Sequence, residues 1–297
     1  MNKEKELNHP DYNSPIALKE FLEENGMAMQ KKFGQNFLVN ADARKRIIDS
    51  LDVKEGTNVW EVGPGLGSMT DEILGRGSNL TAFEIDHGFA RLLREFFKDY
   101  SDKNQFELVE GDVLKTWKAH YDKILANGGG APERFFGNLP YNVAATIIAD
   151  TINEGIRFEK IVVTIQKEVA QRMTAKAGTE NYSSFSVLCQ WAYDIKNIVD
   201  LAGGNFWPVP NVASRAVLMC RKEDFPRCEN PKLFMKMIRQ LFSSRRKTVR
   251  NNLLALAGGV EKTDAVLNAV GIKPSVRAED LSIDELLRLS DSLNSAI

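Results

Sequence analysis

The chain has 297 residues, 43% of them hydrophobic and 27% charged, with a formal net charge of -1. That composition suits a folded chain of one large domain or a large and a small one. It excludes a uniformly basic nucleic-acid binder, and the lack of any 18-residue apolar run excludes a helical membrane span.

The elements follow in chain order. Residues 1–15 read as a loose, polar arm without an apolar signal core, and Ser14 to Asn25 as a short helix closed by Gly26. Lys31-Lys32-Phe33-Gly34-Gln35-Asn36-Phe37-Leu38 has neither helical nor alternating character. Asn40 caps a helix over Ala41 to Leu51. A strand at Asn58 to Val62 runs into Gly63-Pro64-Gly65-Leu66-Gly67, and a helix follows from Ser68 to about Gly75. A second strand, Leu80 to Ile85, precedes a helix over His87 to Tyr100. A third, Phe106 to Val109, leads to Glu110-Gly111-Asp112-Val113. Gly128-Gly129-Gly130 marks a loop. Arg134-Phe135-Phe136 is a fourth strand, Ala144 to Ile152 a helix, and Lys160 to Ile165 a fifth strand. Gln166 to Ala175 reads as a helix, Gly178 to Ser184 as a polar loop, and Ser186 to Asp194 as a helix or a strand. Phe206-Trp207-Pro208-Val209-Pro210 is a proline-interrupted loop, and Ala213 to Cys220 the last strand. From Pro231 onward the periods are helical, including a capping box at Ser282-Ile283-Asp284-Glu285.

Strands alternating with helices predict an α/β fold with a parallel sheet and right-handed crossovers. A boundary near residue 223 would separate residues 1–222, with an extension at 1–26, from a small all-helical domain over 223–297. In such a sheet, ligands bind beyond the carboxyl ends of the strands. Gly63, Glu84, Asp112 and Asn138 come from four segments and all fall at those ends.

The glycine turn could cradle a pyrophosphate or pass beneath a nucleoside cofactor without phosphates. Its Gly-x-Gly-x-Gly spacing departs from the dinucleotide fingerprint, and Glu61, just before the turn, would repel a pyrophosphate but suits an amino group. Glu84, 21 residues after Gly63, stands where a carboxylate takes ribose hydroxyls, and Asp112 could accept from an adenine amine. These residues favour S-adenosylmethionine over a nicotinamide dinucleotide. Asn138-Leu139-Pro140-Tyr141 is by itself also an ordinary turn sequence. Beside a methyl donor it takes another meaning. The Asn138 amide oxygen and the Pro140 carbonyl could hold the two hydrogens of an exocyclic adenine amine. Tyr141 could stack on the base, with Phe185 as the second ring; catalysis would come from positioning and preorganised electrostatics.

Several stretches together resemble the ribosomal RNA adenine N6,N6-dimethyltransferases of the small-subunit dimethyladenosine transferase (KsgA/RsmA) type. They are Lys32 to Leu38, Glu61 to Gly67, Glu84-Ile85-Asp86, Gly111-Asp112-Val113, Gly137 to Asn142, and Phe242-Ser243-Ser244-Arg245-Arg246-Lys247-Thr248. The resemblance covers about residues 28 to 290. It implies a Rossmann-like class I S-adenosylmethionine-dependent methyltransferase domain with a small helical C-terminal domain. It also implies a cofactor site of Asn36, Leu38, Gly63, Gly65, Glu84, Ile85, Asp112, Val113 and Asn138. Asn138, Leu139, Pro140, Tyr141 and Phe185 would hold the target adenine. The implied substrate is a pair of adjacent adenosines, each dimethylated, in a hairpin near the 3′ end of small-subunit rRNA.

From Asn230 to Val260 there are seven basic residues and no acidic one. Arg245, Arg246, Lys247 and Arg250 have no acidic neighbour at helical spacing in that stretch, so RNA phosphate is the expected counter-charge. Lys31, Lys32, Arg172 and Lys176 could extend the footprint. The three cysteines (Cys189, Cys220, Cys228) and three histidines (His9, His87, His120) form no metal-ligand pattern. No metal is expected, and the expected setting is a reducing cytoplasm, with the chain monomeric and its partner small-subunit rRNA in a pre-ribosomal particle. Three other readings remain: a large-subunit rRNA adenine methylase of the macrolide-resistance type, a DNA adenine methylase, which Leu139 argues against, and a mainly non-catalytic ribosome-assembly factor.

Overall fold

A computed structural model describes residues 8–27, 29 and 35–297, without the side chain of Tyr141. Helix α1 (Pro15–Glu24) starts at Ser14, whose side chain accepts from the Ala17 N–H. The pair β1 (Phe37–Leu38) precedes α2 (Ala41–Leu51), capped by Asn40. Then come β2 (Asn58–Val62), α3 (Ser68–Leu74), β3 (Asn79–Glu84), α4 (His87–Phe96), α5 (Lys98–Asp102) and β4 (Phe106–Glu110). Helix α6 (Val113–Ala126), β5 (Arg134–Asn138), α7 (Tyr141–Asn153), β6 (Lys160–Gln166), α8 (Lys167–Met173) and α9 (Ser184–Ala192) follow. The rest is β7 (Tyr193–Leu201), β8 (Phe206–Trp207), β9 (Ser214–Arg221), α10 (Pro231–Phe242), α11 (Val249–Ala257), α12 (Val260–Ala269) and α13 (Ile283–Ala296).

Among the described residues the main sheet has the order β4-β3-β2-β5-β6-β9-β7. Strands β2 to β6 pair in parallel. Their sequences are close to continuously apolar because helices cover both faces. Val59, Val62, Ala82, Phe83, Phe135, Phe136, Val162 and Val163 are all buried. From β2 the chain builds outward to β3 and β4, then returns to the other side of β2 for β5 and β6. The order therefore reverses between β2 and β5.

The chain divides into two compact units. The first takes in the chain up to Ile147 with Phe158–Lys167 and Lys196–Met219; it holds the parallel strands and the core around Ile47, Ile73, Leu80 and Phe136. The second takes in Ile148–Arg157, Glu168–Ile195 and Cys220–Ile297. It contains α8, α9 and the four helices from α10 onward.

Several elements differ from their sequence reading; Phe206 and Trp207, expected in a loop, form β8 and pair with β1. The stretch after Asp112 is a 14-residue helix, α6, where no helix was expected. Its buried residues Val113, Trp117 and His120 lie four and three apart, a stripe legible in retrospect. The helix expected over His87 to Tyr100 breaks at Phe97, whose buried ring ends α4 and starts α5. Residues 186–194 lie mostly in α9, and at Tyr193 the chain turns directly into β7. Lys31 to Gly34 lie outside the described residues.

Candidate active site

The site sits where the strand order reverses. Val62 of β2 faces Gly137 of β5 in register, so the glycine turn after β2 and the loop after β5 leave the sheet side by side. Glu84 closes β3, and Gly111 and Asp112 follow β4. Gly63 donates to the Phe83 carbonyl at 2.9 Å and Gly111 to the Glu84 carbonyl at 2.8 Å, so the loops stay locked to neighbouring strand ends. Together these segments and Gln35 to Leu38 line a cavity of about 420 Å³. That is the size range of a small-molecule site.

The turn needs its glycines. Gly63 and Gly65 have φ of 70° and 59°, in the left-handed region. At Gly65 a Cβ would also stand 3.1 Å from the Phe37 ring. In this conformation the Gly65 N–H donates to Glu84 Oε2 at 3.2 Å, while Asp86 N–H donates to Oε1 at 2.8 Å. The Glu84 carboxylate is thereby fixed at the cavity wall.

Glu61 is 1% exposed and Glu84 4% exposed. Burial pushes the Glu84 carboxyl up to about 7 and the Glu61 carboxyl up to about 8. Thr70 Oγ1 donates to Glu61 at 2.7 Å and offsets part of that. Asp112 caps α6, accepting from the Leu114 N–H at 3.0 Å through Oδ1. Among the described residues, the cavity lining thus holds three carboxylates and no cationic side chain. A pyrophosphate would meet repulsion there. A ligand bearing positive charge and hydroxyl or amine donors would relieve the burial cost of the acids. S-adenosylmethionine has these features, and the residues present fit it.

The loop after β5 is the second half of the site. Asn138 Nδ2 donates to the Asn36 carbonyl at 3.0 Å, which orients the amide and leaves Oδ1 as its acceptor end. Leu139 N–H donates to the Thr164 carbonyl at 3.3 Å, and its side chain lies across Gly137, where an added Cβ would come within 2.7 Å. Pro140 does not play the expected part. Its carbonyl accepts from the N–H groups of both Val143 and Ala144, at 3.1 Å each, because it opens α7. The Leu139 carbonyl takes no hydrogen bond among the described residues and belongs to a residue of the cavity lining.

Asn36, Leu38, Gly63, Gly65, Glu84, Ile85, Asp112, Val113, Asn138, Leu139 and Pro140 all line the cavity. The Tyr141 side chain lies outside the described residues. Phe185 does not line the cavity; it sits on α9 in the second unit, in a small groove with Met235, Ile238 and Arg239. The basic cluster also divides. Arg245 donates to Glu279 at 2.7 Å, and Arg250 makes a two-pronged pair with Asp264 at 2.6 and 2.9 Å. Local helical spacing could not reveal these partners, 34 and 14 residues away. In this structure Arg245 and Arg250 therefore already have carboxylate partners within the chain. Arg246 and Lys247 are exposed and form no ion pair among the described residues. Lys31 and Lys32 fall outside them, and Arg172 pairs with Glu168. No cluster of three or more potential metal ligands occurs among the described residues, and no helix there is long and apolar enough to cross a membrane.

A parallel sheet with an acid-lined cavity at its switch point, flanked by an amide-bearing loop, defines a Rossmann-like methyltransferase. The sequence profile of the family described as "Ribosomal RNA adenine dimethylase" matches residues 26–295. The chain belongs to that family. It is 47% identical to the "Ribosomal RNA small subunit methyltransferase A" of Treponema denticola, over 96% of each chain. It is 43% identical to the protein of that name from Treponema pallidum, over 97% of this chain and 99% of the other. Two crystal structures share the fold. A dimethyladenosine transferase from Plasmodium falciparum superposes with a TM-score of 0.70 at 24% identity, covering 86% of this chain and 97% of its own. The 23S rRNA methyltransferase ErmE does so with a TM-score of 0.62 at 23% identity, covering 86% and 99%.

Proposed function

We infer that this protein dimethylates the N6 amines of two adjacent adenosines near the 3′ end of small-subunit rRNA, with S-adenosylmethionine as donor. The observation that carries the reading is a cavity lining whose charged side chains, among the described residues, are all acids, beside the oriented Asn138 amide, in a chain of the adenine dimethylase family.

S-adenosylmethionine bound in the cavity supplies a methyl group made electrophilic by its sulfonium sulfur. Glu84 accepts the ribose hydroxyls; the Asp112 oxygen not used as the α6 cap accepts the adenine amine; Glu61 faces the positively charged end. On the acceptor side, Asn138 Oδ1 and the Leu139 carbonyl take the two hydrogens of the target amine. The amine lone pair is otherwise delocalised into the ring. Two acceptors favour a pyramidal nitrogen with that pair free to attack. Tyr141 supports the base from one face. The amine proton departs after methyl transfer, so no dedicated base is needed and positioning supplies the catalysis.

Arg246 and Lys247 contact RNA phosphates, and a base leaves its stack before entering the site, at a cost of a few kcal/mol. The protein acts in the cytoplasm, as a monomer, on a pre-ribosomal particle. The small-subunit reading is preferred to the large-subunit one because the full-length relatives at 47% and 43% identity carry the small-subunit name. Mass spectrometry of small-subunit rRNA incubated with pure protein and labelled donor tests the activity. Asn138→Ala is expected to abolish transfer, by more than about a hundredfold, while RNA affinity changes little. Equal loss of binding would make the loop structural rather than catalytic.

A further inference from the structure

The N-terminal segment packs against the cofactor turn through specific bonds. Tyr12 Oη donates to the Leu66 carbonyl at 2.8 Å, and Leu66 stands between Gly65 and Gly67. Burial pushes the Tyr12 phenol far above its ordinary value, so it remains a donor across the working pH range. The hydroxyl has one hydrogen, committed to Leu66, so the 2.9 Å contact with His9 Nδ1 is an N–H donation into Oη. Arg44, 5% exposed, is the second link. It donates to the Leu38 carbonyl at 2.7 Å, to Asn13 Oδ1 at 2.6 Å, and at 3.4 Å to the Tyr12 carbonyl. Leu38 also lines the cavity.

The apolar side of α1 completes the arrangement. Leu18 and Leu22 pack with Leu66, Phe89 and Leu92 in one buried cluster, joined at its edge by Tyr12, Phe21 and Phe37. Met27 Cε lies against Gly88, 2.8 Å from where a Cβ would stand, at the start of the helix that follows Glu84. None of residues 8–27 lines the cavity. They instead touch three of the segments that do or that directly follow them.

We propose that residues 8–27 form a strap that sets the shape of the donor-binding turn, with Tyr12 as its positioning residue. It acts through Leu66: the bond to that carbonyl fixes the Leu66–Gly67 peptide, and this anchor, one peptide plane removed, limits how far the Pro64–Gly65 peptide can turn its N–H away from Glu84. Without it the turn relaxes, Glu84 loses a donor, and the donor pocket must be reordered at each binding event. This rests on the cavity being the S-adenosylmethionine site, and the test separates the two ideas.

The full-length protein is compared with Tyr12→Phe, which keeps the ring and removes the hydroxyl, by titration calorimetry with S-adenosylmethionine and S-adenosylhomocysteine. Wild-type protein that binds neither ligand would remove the cofactor reading itself. With wild-type binding established, Tyr12→Phe is expected to weaken both ligands about five- to tenfold. KM for the donor should rise in proportion, with kcat at saturating donor and affinity for RNA unchanged. A lowered melting temperature with unaltered ligand affinity would assign Tyr12 a merely structural role and overturn the proposal. His9→Ala, at an exposed position, removes one bond to Oη. It should shift affinity in the same direction by a smaller factor, and unchanged affinity in both variants refutes the strap's role.

Discussion

Donor affinity should rise with pH through neutrality, and its size follows from two buried acids. Burial raises Glu84 from 4.5 to about 7. That displacement corresponds to about 3 kcal/mol of disfavoured ionisation in the unliganded cavity. Ribose hydroxyls and a cationic sulfur both favour the ionised form, so binding expels the proton from Glu84. A group with a value of about 7 is roughly one-tenth ionised at pH 6 and nine-tenths at pH 8. If the ionised form alone binds, the dissociation constant falls about tenfold across that interval, about 1.4 kcal/mol. Proton release from Glu84 should approach one per ligand at pH 6 and fade by pH 8. Any release from Glu61, held near 8, would persist to higher pH. The assay is calorimetry at pH 6, 7 and 8 in two buffers of different ionisation enthalpy. Glu84→Gln is the control: it shares every titrating group of the ligand, so the difference between the two curves isolates Glu84. Affinity that is flat from pH 6 to 8, with heats independent of buffer, would refute the reasoning.

The same acids set the stability of the unliganded protein. A carboxyl raised in the folded state contributes stability that is full below about 4.5 and lost as pH rises through about 7 and about 8. The melting temperature should therefore fall between pH 5 and 8, and saturating donor should flatten that slope; a flat unliganded profile would count against the burial. Replacing both Arg246 and Lys247 by alanine should reduce the salt slope of RNA binding by roughly 1.5. Arg250→Ala should leave that slope unchanged, because Asp264 already neutralises the guanidinium, and an equal drop from both changes would refute the division of the cluster.

Much of the fold was legible because four of the five parallel strands lead into an unusual residue. Gly63, Glu84, Asp112 and Asn138 punctuate apolar runs, and a parallel sheet sends all such ends to one edge. The strand-end wall of the cavity follows from that, while Gln35 to Leu38 complete the lining. What the sequence concealed depends on contacts between distant segments. The ion pairs of Arg245 and Arg250 come from α12 and the turn before α13, beyond any local window. Phe185 lies on α9 in the second unit, a placement no local pattern around it gave. The role of the Pro140 carbonyl turned on where α7 begins. Its first residue, Tyr141, precedes the expected start, Ala144, and that difference turns a free acceptor into a helix-capping one.

The absence of cationic side chains among the described lining residues has a consequence for turnover. Each methyl transfer strips the positive charge from the donor's sulfur and leaves a neutral thioether. The spent donor keeps its ammonium, ribose hydroxyls and adenine amine, so the acids keep those partners, but the sulfonium charge that helped offset their burial is gone. On charge alone, the chemical step removes one attractive contribution from the product and none from the incoming donor. An enzyme that must reload for every methyl group gains a built-in bias toward release.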